Sequence, residues 1–194
     1  APPAIPAISG GAIPPVDVSG NWTVKFPDSP QAIQMATLRP WTDDESRKFY
    51  SGTASYERTV AAPPAMLRAG QRVFLNFGEG TVVDPASERR APSGMRAWLE
   101  SPVREAAQVF VNGKAAGAMW KAPFEIEISG LLKPGDNAIR VVVANLALNV
   151  LAKGPLPDYK ELTAKYGDKF QAQDMVSVRS LPAGMLGPVT LVAK

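Results

Sequence analysis

Any chemistry this chain performs has to be done without histidine or cysteine, because its 194 residues include neither. That removes thiol nucleophiles, serine–histidine–aspartate triads, zinc sites built on nitrogen or sulfur, and histidine pH switches. Carboxylates, lysine, tyrosine, serine and oxygen-bound hard metals remain. Paired carboxylates that cleave a glycosidic bond face each other across a cleft at about 5–9 Å. Glu125 and Glu127 flank Ile126 on one strand. They therefore stand side by side, roughly 7 Å apart, on an outer sheet face where nothing suggests a cleft. Asp43-Asp44-Glu45 gathers three carboxylates, the raw material of a structural calcium site. Neighbouring side chains seldom converge on one ion and the spacing is not that of an EF-hand. A solvated acidic turn is expected, and no cofactor.

Trp120-Lys121 is a different case. A tryptophan in a loop between two strands has no alternation rule that makes it apolar. Its face can stack on the C–H face of a sugar ring while the ammonium donates to hydroxyls, which suits a polar, uncharged ligand. Plugging the end of a sandwich is the alternative. Asn145, Asn149, Asp174 and Arg179 are polar positions beside or between apolar segments. They are further ligand candidates, although Asn at a strand end more often satisfies backbone groups. The expected binding set is Trp120, Lys121, Asn145, Asn149 and Arg179, with no catalytic residue and no metal ligand.

These residues need elements to position them, and the strongest local signal lies just before Trp120. Val109-Phe110-Val111 runs into Asn112-Gly113, the dipeptide that meets the positive φ values of a two-residue hairpin turn. Ala107, Val109 and Val111 share the inward phase. After the loop, closed by Pro123, Phe124, Ile126 and Ile128 alternate with Glu125 and Glu127. Other alternating runs are Trp22-Val24-Phe26, Tyr50 to Val60, Val73-Leu75-Phe77, Ile139-Val141-Val143 and Val189-Leu191-Ala193. Val142 makes its strand apolar on both faces, so that strand is expected to be central. Tyr159 to Tyr166 has helical spacing, with Asp158 as N-cap and Gly167 as stop. Many short strands, one short helix and no βαβ alternation predict an all-β sandwich.

Residues 1–19 are rich in Pro and Gly and predict a linker or extended arm, leaving 20–194 as the sandwich with an inserted loop at 80–101. A chain of this size buries roughly two thirds of its unfolded surface. Hydrophobic content of 45% and charged content of 20% fit an ordinary globular domain. The net charge of +3 is small and its only adjacent basic pairs are Arg47-Lys48 and Arg89-Arg90, so no nucleic-acid partner is expected. Ile139 to Ala152 is interrupted by Arg140, Asn145 and Asn149 and is too short for a bilayer span. No basic n-region precedes an apolar run. The sequence begins at Ala, which together with the Pro-rich arm suggests a piece of something longer.

Several motifs stand along the chain as an ordered series. They are Gly20-Asn21-Trp22, the strand Tyr50 to Arg58, Arg72 to Glu79, Val109 to Gly113, Pro123-Phe124, Leu132 to Asn137, and Gly184 to Val189. This series resembles the galactose-binding-like jelly-roll domain of the β-galactosidase and β-glucuronidase group of glycoside hydrolases. Met119 to Phe124 and Leu181 to Pro188 make it most similar to the C-terminal domain of family 106 α-L-rhamnosidases. The resemblance implies a jelly-roll β-sandwich, secreted or periplasmic, attached to a catalytic domain and not catalytic by itself. Its partners would be that catalytic domain and a carbohydrate, rhamnose-containing or another plant or bacterial glycan. Carried over, Trp120-Lys121 and the segment Asn145 to Asn149 would face glycan or the partner domain. Ala147 and Val150 stand where that group commonly has Trp and Arg, so this second segment carries no aromatic platform of its own. A purely structural domain that docks on a partner without sugar affinity is the alternative. It predicts an exposed apolar patch around Ala147 to Leu151.

Overall fold

In the six-stranded sheet, alternating residues send one face inward along nearly every strand. The computed structural model describes residues 12–83, 99–155, 158–167 and 178–194. Its larger sheet runs in the order β10 (Lys114–Met119), β9 (Ala106–Val111), β12 (Gly135–Ala144), β4 (Thr53–Ala62), β2 (Trp22–Lys25), β3 (Ile33–Met35). A four-stranded sheet faces it in the order β1 (Val16–Asp17), β14 (Thr190–Ala193), β5 (Val73–Asn76), β11 (Glu125–Glu127). Two short ribbons accompany them: β6 (Thr81–Val82) with β7 (Leu99–Glu100), and β8 (Val103–Arg104) with β13 (Gly184–Met185). All of these pairings are antiparallel. The expected all-β jelly-roll sandwich is what forms.

The core is the meeting of the two inward faces. Trp22, Val24, Tyr56, Val109, Val111, Ile139 and Val141 from the larger sheet join Val73, Leu75, Ile126 and Leu191 from the smaller in one buried cluster. Burying a side chain of this size stabilises by about 1.5–3 kcal/mol, so the inward phase of each strand is what holds the two layers together. β12 lies between β9 and β4, as the apolar Val142 implied. The indole Nε1 of Trp22 donates to the Val18 carbonyl at 2.9 Å, which keeps the buried ring satisfied.

The Asn-Gly hairpin forms with both turn residues at positive φ, Asn112 at 51° and Gly113 at 80°. Val111 pairs directly with Lys114 across it. Asn112 does more than turn. Its Nδ2 donates to the Leu131 carbonyl and to Asn137 Oδ1, both at 2.9 Å, and its Oδ1 accepts from Ala138 N. Asn137, 0% exposed, closes the same knot by accepting from Lys133 N and donating to the carbonyls of Lys133 and Gly135.

Several boundaries differ from expectation. β1 pairs with β14 and Val18 is fully buried, so the sandwich takes in residues inside the Pro-rich stretch 1–19. The insertion at 80–101 opens and closes on the β6–β7 ribbon. Two α-helices form among the described residues, not one. The expected helix is α2 (Lys160–Tyr166), with Gly167 at φ 52° donating its N–H to Thr163. Its N-cap position is Tyr159, not Asp158, although Asp158 Oδ1 still accepts from Lys160 N. The other is α1 (Leu148–Lys153), in a segment with no helical periodicity to announce it. Arg89-Arg90 and Asp174 lie outside the described residues.

Candidate functional site

β10 belongs to the six-stranded sheet and β11 to the four-stranded one, so residues 120–124 cross from one layer to the other at an end of the sandwich. Buried Met119 and Phe124 pin the two ends of this crossing, and the Phe124 carbonyl accepts from Phe77 N at 2.9 Å. Between these anchors Trp120 is 71% exposed. It therefore does not plug the sandwich. Lys121 Nζ lies 5.5 Å from the Trp120 ring centre and has no carboxylate partner among the described residues. The loop rims a cleft of about 430 Å³ whose far wall is Leu99, Glu100, Arg104 and Glu105.

Arg104 is the unexpected member of this cleft. It is 8% exposed, with Nη2 2.7 Å from Glu100 Oε1 and Nη1 4.0 Å from Glu105 Oε1. Among the described residues no N–H of Nη2 is aligned on an acceptor, and Nε has none. A buried guanidinium with unused donors is costly unless something else completes it. Two carboxylates, an ammonium, that guanidinium and an exposed indole face are groups suited to bind ring hydroxyls and a C–H face together. Sequence reasoning missed Glu100, Arg104 and Glu105. Glu100 and Arg104 sit on two-residue strands and Glu105 on the bend that follows, at the end of the insertion, where no periodicity marks which side chain points where.

The other expected ligand residues divide. Asn145 accepts from Gly52 N at 2.8 Å and donates to the Tyr50 carbonyl at 2.9 Å. Asn149, 2% exposed, grips the backbone of Leu181 at both ends: Oδ1 accepts from its N–H at 2.8 Å and Nδ2 donates to its carbonyl at 3.0 Å. The side chains around this pair close over it and leave no space for a ligand. Both amides thus staple loops, the more frequent role for Asn at such places. Arg179 is exposed and lines neither region. Glu105 borders both.

Because Asn149 points inward, α1 turns its apolar residues out. Leu146, Val150 and Leu151 are each about half exposed. Ser51 fixes the segment by donating to the Leu146 carbonyl and accepting from Val150 N. The apolar patch around Ala147 to Leu151 is present.

The carboxylates weighed for catalysis are held ionised. A hydrogen bond from Lys194 Nζ at 2.6 Å is the main cause that keeps Glu125 below the usual carboxylate range, with Asn76 Nδ2 adding another. Arg72 first and Ser129 second lower Glu127 likewise. Neither is kept protonated as a general acid would need. In the acidic turn, Asp44 accepts from the Ser46 side chain and backbone and its pKa is lowered by them, while Glu45 pairs with Lys48 at 3.2 Å. Among the described residues no three acidic side chains are grouped to hold a metal ion.

No family model matches the chain. A curated protein of Formosa agariphila with a provisional β-glucuronidase name is 29% identical over 142 residues, covering 71% of this chain and 10% of that protein. Among solved structures, a rhamnosidase from Novosphingobium sp. PP1Y superposes over 94% of this chain and 15% of its own, with TM-score 0.62 and 25% identity. A β-glucuronidase from Bifidobacterium dentium, at 20% identity and TM-score 0.59, shares the fold over 96% of this chain and 30% of its own. The chain spans a tenth of the curated relative and less than a third of either solved protein. Its fold is thus that of a β-sandwich domain carried as a minor part of glycoside hydrolase chains.

Proposed function

We propose that this chain is a non-catalytic accessory module of a glycoside hydrolase of the α-L-rhamnosidase kind, exported to the periplasm or beyond the cell. It supports a catalytic domain and contacts glycan through the Trp120–Lys121 cleft. The observation that carries the sugar contact is Trp120, 71% exposed on a loop whose two ends are anchored in the core. Rigid anchoring lets an aromatic face act as a platform without ordering the loop at each binding event. The rhamnosidase assignment is supported by the likeness to the Novosphingobium structure and by the motif series. The test is calorimetric titration of the chain with rhamnose-containing and neutral plant oligosaccharides. Trp120→Ala should weaken binding at least ~10-fold, since base- or sugar-like stacking on an exposed aromatic contributes about 1–3 kcal/mol. Equal affinity in the variant rejects the platform. No hydrolysis of nitrophenyl glycosides is expected.

A second reading rests on a separate observation, the outward apolar face of α1. It assigns the module to docking on a partner domain with no sugar affinity, and absence of wild-type binding in the same titration would leave it standing alone.

A further inference from the structure

The outer face of the six-stranded sheet carries a polar row that neither the cleft at Trp120 nor the α1 patch uses. Cross-strand register lines up Phe110, Arg140, Glu57, Thr23 and Gln34 on successive strands β9, β12, β4, β2 and β3. A groove of about 570 Å³ runs over this face, lined also by Lys25, Arg58 and Thr59, and shares no lining residue with the Trp120 cleft. That volume lies within the roughly 300–1,000 Å³ of ordinary ligand clefts.

The charges here are unevenly matched. Glu57 is the natural cross-strand partner of Arg140, yet its Oε2 is taken by Lys25 Nζ at 2.6 Å. Arg140 instead lies over the Phe110 ring, its Cζ 3.9 Å from the ring centre, and among the described residues it makes no ion pair or hydrogen bond. Arg58 gives one Nη1 donor to the Gly20 carbonyl. Arg58 shares the inward phase of buried Tyr56 and Val60, so the cations on this outer face are Lys25, which is paired with Glu57, and Arg140, which is not. A guanidinium seated on an aromatic ring is held in place before any ligand arrives, and its fork fits a carboxylate or sulfate through two parallel hydrogen bonds. Thr23 and Thr59 add hydroxyls beside it.

We propose that this groove binds an anionic sugar chain, with Arg140 receiving an acidic group and the flanking threonines meeting ring hydroxyls. The site is separate from the Trp120 platform and stands whether or not that platform binds sugar. A bare anion would need only the guanidinium; the volume of the groove and its hydroxyl lining suit a chain of rings.

The test is titration of the 194-residue chain with tetragalacturonate, a neutral galactose tetramer, inorganic sulfate and a single-stranded oligonucleotide. Tetragalacturonate should bind, the neutral tetramer at least 10-fold more weakly, and raising salt from 50 to 500 mM should reduce the affinity. Arg140→Gln should lower tetragalacturonate affinity at least 10-fold, and Glu57→Gln should raise it several-fold by removing the one opposing charge. Opposite signs from two variants separate a binding role from a folding defect. Trp120→Ala should leave this affinity unchanged, so failure here and failure of the Trp120 platform are read independently. The proposal is overturned if tetragalacturonate does not bind, if Glu57→Gln does not strengthen binding, or if sulfate or the oligonucleotide binds as tightly.

Discussion

Several asparagine amides act as staples among the described residues, satisfying backbone groups that turns and loops leave open. Asn137 is the extreme. It is fully buried and its amide links the turn before β12 to the hairpin turn after β9. Asn137→Ala would strand the Lys133 N–H, two carbonyls and half of the Asn112 amide. An unsatisfied buried polar group costs about 1–3 kcal/mol, so a loss of about 3 kcal/mol or more is expected in urea unfolding. A loss under 1 kcal/mol would mean water replaces the amide. Asn112 could be read as a turn former from its neighbour Gly113. The role of Asn137 could not, because its partner Asn112 is brought to it only by the pairing of β9 with β12. The same limit applies to Asn149, whose partner Leu181 is 32 residues away in sequence.

At the scale of elements, strands were legible wherever they were half buried, because alternation is a direct record of one wet and one dry face. α1 was not legible, since its pattern is inverted: the polar Asn149 faces the core and Val150 and Leu151 face out. An inverted amphipathic helix of six residues is not stabilised by its own propensity and depends on the clamps from Ser51 and Leu181. It is also where docking on a partner domain is testable. Val150→Lys with Leu151→Lys should change stability by less than about 0.5 kcal/mol, because neither side chain is in the core. The pair should abolish concentration-dependent self-association of the isolated chain in sedimentation velocity. A wild-type chain that stays monomeric at high concentration removes the docking role.

For the whole molecule, the pH profile of stability follows from the absence of histidine and from the groups that shift. Glu125 and Glu127 are lowered by Lys194 and Arg72, and Asp44 by Ser46. A lowered folded-state pKa contributes stability that is complete above the unfolded value, 4.5 for the glutamates, and is lost as pH falls through the folded one. Tyr56 goes the other way: burial raises its phenol far above 10.0, so its contribution is complete below pH 10 and is lost as pH rises beyond it. The melting temperature should therefore be nearly flat between about pH 5 and pH 9.5, with declines outside those limits. Glu125→Gln should flatten the acid limb. A step near pH 6–7 would contradict this, as no side chain in the sequence has its ordinary pKa there.

The pairing of Val16 with Leu191 has a mechanical consequence. β1 and β14 are antiparallel neighbours, so chain arriving at Val16 and chain leaving after Ala193 do so side by side at one edge of the sandwich. Tension applied through those two points would pull β1 from β14 one rung at a time, like a zip, and not shear all rungs together. The module would yield first at that short strand, while the Trp120 loop and the Arg140 groove, carried on other strands, would keep their shape under load.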